Sequence, residues 1–175
     1  MTKTAREDTG QRLTHPFGPL YDGNSRILIL GSFPSVKSRE QNFFYGHPQN
    51  RFWKILAALF DREVPQTIPE KKALILENRL ALWDSIASCV ITGSSDASIR
   101  GVRPNDLRII LDRSPIERIY CNGKKSYEMY GKYILPELGR EAVCLPSTSP
   151  ANAQWSMERL LDAWSVLKTT TGEEL

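Results

Sequence analysis

The sequence predicts a three-layer α/β/α sandwich around a mostly parallel central sheet of about four strands. Three observations support this. The short apolar runs Arg26–Leu30, Leu80–Ile86, Ile116–Cys121 and Ala142–Leu145 are continuous rather than alternating, as expected of strands buried on both faces. Between and after them lie segments with apolar residues three and four apart, the spacing of helices that cover a sheet. Finally, 175 residues can bury a full core, and no internal repeat or flexible linker divides them. The chain therefore reads as one domain over residues 1–175, with the mostly polar residues 1–12 as a flexible N-terminal tail.

Each element follows from its residues. His15-Pro16-Phe17-Gly18-Pro19 is an extended, turn-rich lead-in, because Pro and Gly oppose regular structure. Arg26–Leu30 is the central strand. From Arg51 a helix is indicated by Phe52, Ile55, Leu56, Leu59 and Phe60 on one face. Pro65 and Pro69 bracket a loop, and Pro69 suits the first turn of a helix running to about Asn78. The second strand ends in Trp83-Asp84-Ser85, and the polar, Gly/Ser-rich segment Ser88–Arg103 reads as a long irregular loop. Pro104 is expected to begin a short helix with Leu107, Ile110 and Leu111 on one face. After the third strand, Asn122-Gly123 leads into a helix carrying Tyr127, Tyr130 and Ile134. The fourth strand ends in Pro146–Pro150, before a last helix with Met157, Leu160, Leu161, Trp164 and Leu167 on one face.

Composition excludes several classes. Hydrophobic content of 41% with 25% charged residues is that of a folded globular chain, and a net charge of +3 permits a polyanionic partner without establishing one. The three cysteines Cys89, Cys121 and Cys144 form no CxxC pair, which disfavours a zinc or iron–sulfur site. Cys121 and Cys144 read as buried small hydrophobes. No cluster has metal-ligand spacing, so neither a metal nor another cofactor is expected. With no apolar signal region or membrane-spanning run, the chain is expected to be a soluble cytoplasmic protein, and a monomer.

Candidate chemistry gathers in two loops at the carboxyl edge of the sheet, Gly31-Ser32-Phe33-Pro34-Ser35 and Pro146-Ser147-Thr148-Ser149-Pro150. Both combine Pro with small residues that let a backbone approach a ligand closely. Neither is a GxGxxG fingerprint, and Gly123-Lys124-Lys125-Ser126 lacks the earlier glycine of a phosphate-binding loop. A serine hydrolase is disfavoured by the absence of GxSxG.

The block RILILGSFPSVKSREQNFFYGHPQNRFW resembles the first motif of the uracil-DNA glycosylase superfamily. Its HPxNRFW portion is most similar to the mismatch-specific uracil/thymine branch. The GSFPS opening, and LPSTSPAN at the second-motif position, look more like the hypoxanthine-DNA glycosylase group. The resemblance implies a monofunctional enzyme of base excision repair, hypoxanthine first and uracil or xanthine besides. A deaminated nucleotide in DNA is flipped out, and water hydrolyses its N-glycosidic bond. It gives Tyr45 as the aromatic wall of the base pocket, with an ordinary core aromatic as the alternative. Phe33 occupies the place of the asparagine or aspartate of other branches, so the catalytic role falls to Asn50, whose side-chain carbonyl is expected to orient the attacking water. Asn50 also suits a helix cap.

Leu145 stands where efficient uracil enzymes carry a histidine, which leaves backbone N–H groups of Ser32 and Phe33 to support the leaving base. Gly31, Pro34, His47 and Asp84 are further pocket candidates; turn formation by His47 and loop capping by Asp84 are the plainer readings. Ser35, Ser38, Lys124, Ser147, Thr148 and Ser149 are candidates for DNA backbone contacts, and Pro150-Ala151-Asn152 for pressing into the base stack. Their alternative is ordinary turn and surface chemistry. A non-catalytic damaged-DNA or nucleotide-binding module is the competing function.

Overall fold

The computed structural model describes residues 10–92 and 98–170. Its centre is a four-stranded parallel sheet in the order β3-β2-β6-β7: β2 (Ile27–Gly31), β3 (Leu80–Asp84), β6 (Arg118–Asn122) and β7 (Val143–Leu145). Every residue of β2 and β3 is buried, which is why their sequences run apolar without alternation. The helices among the described residues are α1 (Val36–Gln41), α2 (Phe52–Leu59), α3 (Ile68–Glu77), α4 (Arg108–Leu111), α5 (Lys124–Tyr133), α6 (Leu135–Leu138), α7 (Met157–Trp164) and α8 (Val166–Thr170). Thr67 caps α3, Pro69 lies in its first turn and Asn78 closes it, at the bounds read from the sequence. Phe52, Ile55, Leu56 and Leu59 of α2 are buried, and Phe52 meets Trp164 of α7 edge to face at 5.9 Å.

A second sheet departs from the sequence expectation. β1 (Gln11–Thr14), β4 (Ile86–Ile91) and β5 (Arg100–Pro104) form an antiparallel sheet in the order β1-β4-β5. Gln11 and Arg12, assigned to the tail, therefore belong to a strand, held by pairing with Ile91 and Val90 far along the chain. Residues 1–9 of that tail lie outside the described residues. The segment Ser88–Arg103, read as an irregular loop, is largely the β4–β5 hairpin, and residues 93–97 within it lie outside the described residues. Pro104 ends β5 rather than opening a helix, a place where its missing N–H is tolerated, and α4 starts at Arg108. Of the face predicted for α5, Tyr130 is buried but Tyr127 is 42% exposed; Ser126 and Met129 point inward instead. Cys121 is buried, but Cys144 on the edge strand β7 is exposed.

Two features aim the carboxyl edge. The β3 strand stops at Ser85, whose N–H donates to the Gly31 carbonyl (2.8 Å), and the chain passes into the second sheet. The lead-in pairs Leu20 with Leu82 along the outer edge of β3, and the His15 N–H donates to the Ala87 carbonyl (2.7 Å). The lead-in is thereby drawn across the end of the parallel sheet. No helix among the described residues is long and apolar enough to cross a membrane.

Candidate active site

Parallel register brings the ends of the strands together: Gly31 lies opposite Asp84, and Asn122 opposite Leu145. Gly31 has to be glycine. A Cβ there would lie 2.3 Å from Asp84 Oδ1 and 3.4 Å from the Tyr45 hydroxyl. Asp84 is buried, and its Oδ2 is 2.6 Å from His15 Nε2. His15 Nδ1 accepts from the Phe17 N–H (3.4 Å), which puts the ring proton on Nε2 and makes His15 the donor to the carboxylate. The imidazole stands edge-on to Phe17 at 4.5 Å and Phe33 at 6.0 Å. His15 escaped the sequence reading. It sits in a Pro-rich lead-in, and nothing local announces a partner 69 residues away.

Tyr45 carries two local costs at once. Its backbone is left-handed (φ 51°), and its hydroxyl is buried with no hydrogen-bond partner. Each is worth about 1–3 kcal/mol. The ring stacks on Phe52 at 3.9 Å, and the hydroxyl reaches the space over Gly31. Burial, and next the Asp84 charge, push the phenol well above its ordinary range, against a smaller opposing effect of Asn122. Tyr45 thus combines left-handed backbone with a buried, unpaired hydroxyl at the carboxyl edge of the sheet.

Asn50 and Thr148 bring the two motif loops together. Asn50 Oδ1 accepts from the Phe52 N–H (3.0 Å) and from the Thr148 hydroxyl (2.8 Å). Asn50 lies one residue before the Arg51 cap position, and its side-chain carbonyl satisfies one of the unpaired donors at the start of α2, the Phe52 amide. Both lone pairs of that carbonyl are engaged. That leaves Nδ2–H2, which has no protein partner among the described residues, as the part of the Asn50 amide open to a ligand. Thr148 is fully buried, exchanges two bonds with Asn122 (3.0 Å each) and accepts from the Arg51 N–H at 3.0 Å. It cannot grip a DNA phosphate.

The rest of the second loop is held from within. Ser147 and Ser149 hydroxyls accept from the Ser149 and Ala151 amides (3.1 and 3.2 Å), and Asn152 Nδ2 donates to the Ser147 carbonyl (3.0 Å). The Arg51 guanidinium donates to the carbonyls of Ser149 (3.3 Å), Asn152 (3.0 Å) and Trp155. Ala151 is exposed at the tip beside half-buried Pro150. Arg51 in this clamping role, and Asn122, are functional candidates that the sequence reading passed over.

The remaining candidates are scattered. Ser35 caps α1 by accepting from the Ser38 N–H (3.2 Å). Ser38 is buried, and its hydroxyl accepts from the Gly46 N–H (2.9 Å), so it shapes the Tyr45 loop and is shut off from phosphate. His47 Nδ1 accepts from the Gln49 N–H (3.1 Å), a local turn. Ser32 gives its carbonyl to the Ile86 N–H (3.0 Å), Pro34 is buried, and Phe33 is half-buried with the Arg39 guanidinium 5.8 Å from its ring centre. Lys124 is exposed at the start of α5. Among the described residues no three His, Cys, Asp or Glu side chains are grouped to hold a metal ion. A cavity of about 540 Å³, lined by residues including Asp22, Arg26, Glu77 and Arg79, lies at the opposite, amino edge of the sheet.

Comparison with known proteins agrees with this fold. The family model of the Uracil DNA glycosylase superfamily matches residues 18–168. A Hypoxanthine DNA glycosylase of Methanosarcina acetivorans is 35% identical over 147 residues, covering 82% of this chain and 90% of the relative. One of Methanosarcina barkeri is 34% identical over 154 residues, covering 85% and 94%. A candidate uracil DNA glycosylase from M. acetivorans, solved by solution NMR, superposes with a TM-score of 0.74 at 29% identity, over 90% of this chain and 99% of that one.

Proposed function

The chain belongs to the uracil-DNA glycosylase superfamily, and we propose that within it the protein is a monofunctional DNA glycosylase of base excision repair. It removes deaminated bases, hypoxanthine first, with uracil and xanthine as further substrates. Two hypoxanthine DNA glycosylases that align with most of this chain support the activity. The observation that carries the site assignment is Asn50, a half-exposed amide fixed at the mouth of the carboxyl edge by Thr148 and the Phe52 amide. On the same carboxyl edge an aromatic, Tyr45, and a buried carboxylate, Asp84, close over Gly31. In this reading the nucleotide is rotated out of the duplex, and its base enters beside the half-buried Tyr45 and Phe33 at the carboxyl edge. The 147–152 loop and Lys124 meet the flanking DNA, with Ala151 and Pro150 at the gap left in the stack. Water then replaces the base at C1′.

The test is release of free base, without added metal, from duplexes carrying deoxyinosine, deoxyuridine, deoxyxanthosine or mismatched thymine. Hypoxanthine should leave fastest. Asn50→Ala should slow release by about 100-fold or more, with circular dichroism unchanged. Tight binding to inosine DNA without any release would identify a damage-binding module instead.

A further inference from the structure

The direction of the hydrogen bonds around Asn50 bears on how it acts, on the reading that this site breaks an N-glycosidic bond. A backbone N–H can only donate. The Thr148 N–H meets Asn122 at 3.0 Å, so that end of the Asn122 amide is its oxygen and the other end, 3.0 Å from Thr148 Oγ1, is Nδ2–H2. The Thr148 hydroxyl thus accepts from Asn122, and its own proton goes to Asn50 Oδ1 at 2.8 Å. The Phe52 N–H, 3.0 Å from the same Asn50 atom, independently marks it as oxygen. Two backbone amides, one at each end, fix the polarity of the whole chain Asn122→Thr148→Asn50.

We propose that Asn122 and Thr148 are positioning residues that turn the Asn50 amide so that its Nδ2–H2 faces the reacting nucleotide, and that Asn50 acts by donating to the leaving base. When the C1′–N bond breaks, its electron pair moves onto the base and the sugar acquires positive character. The oxygen of water then bonds to C1′, a proton of that water is released, and the base takes up one proton to leave neutral. Only the base develops negative charge. A preorganised N–H donor therefore lowers the barrier at the base and would raise it at the sugar, whereas a carbonyl would do the reverse. Thr148 is fully buried, so it acts through Asn50 rather than on the substrate.

Single-turnover release of hypoxanthine from an inosine duplex tests this, with affinity for a tetrahydrofuran abasic-site duplex and the melting temperature measured alongside. Thr148→Val keeps shape but loses the hydroxyl, and should slow release by about 10- to 100-fold with little change in affinity for the abasic duplex. Thr148→Ser restores the hydroxyl and should recover the rate to within about threefold. Asn122→Asp cannot donate to Thr148 and should match Thr148→Val, which keeps the test open if the valine variant fails to fold. Asn50→Asp substitutes an acceptor for the donor and should be as slow as Asn50→Ala. Wild-type release by Thr148→Val and Asn122→Asp would overturn the relay. Activity of Asn50→Asp near that of wild type would overturn the donor role. A wild-type protein that releases no base would overturn the glycosylase reading beneath both, a failure plainly distinct from the other two.

Discussion

The two edges of the parallel sheet are built in opposite ways. At the amino edge, charged residues flank a cavity of about 540 Å³. The nearby ion pairs are exposed: Arg26–Glu117 at 3.4 Å, with side chains 40% and 54% accessible, and Arg62–Glu77 at 2.9 Å. At the carboxyl edge the polar groups are sunk into the fold. They are the His15–Asp84 pair, the Asn122–Thr148–Asn50 chain and the unpartnered Tyr45 hydroxyl. Exposed ion pairs contribute little and place few demands on the rest of the molecule. A buried polar group destabilises the fold unless it is satisfied, so a cluster of them at one edge is a stronger sign of chemistry than an open, charged cavity.

Substitutions should separate the edges in order of size. Arg51→Leu removes a guanidinium that holds three carbonyls of the second loop, and should lower stability by about 3 kcal/mol in urea denaturation. Base release should fall with it as the loop loosens. Gly31→Ala drives a methyl group to within 2.3 Å of Asp84 Oδ1. It should cost about 2 kcal/mol and depress hypoxanthine release, read in the same denaturation and turnover assays. Tyr45→Phe has the opposite sign. Deleting a buried hydroxyl without a partner should raise stability by about 1 kcal/mol while the stacking on Phe52 persists. A loss of stability in Tyr45→Phe would show that the hydroxyl is satisfied in solution. Arg26→Ala at the amino edge should change stability by no more than about 0.5 kcal/mol and leave base release alone. A larger effect there would erase the contrast between the edges.

Much of this site was legible in the sequence because its signals are local. An apolar run ending in Gly31, an Asn before Arg51-Phe52-Trp53 and a Ser/Pro turn after the last strand each announce themselves within a few residues. Asn50 illustrates both the reach and the limit of such reading. The sequence offers it as a helix cap or as a reacting centre, but which end of its amide faces outward depends on Thr148, 98 residues away. Ser38 and Thr148 show the same limit from the other side, since hydroxyls that read as phosphate ligands turn out to be interior struts. The second sheet was missed because β1 finds its partner in β4, and four residues of which only Leu13 is apolar show no strand signal without it.

By itself, then, the sequence determined the layered α/β class, the four core strands and the two loops at their carboxyl ends, because apolar periodicity and turn chemistry are properties of neighbours along the chain. Only the tertiary structure decided which polar groups are buried, which are paired and which way their hydrogen bonds run. His15 meets Asp84, and Asn122 reaches Asn50 through Thr148, only once parallel pairing has brought the strand ends together. Direction and burial arise from contacts between distant segments, and those contacts do not exist until the sheet has formed.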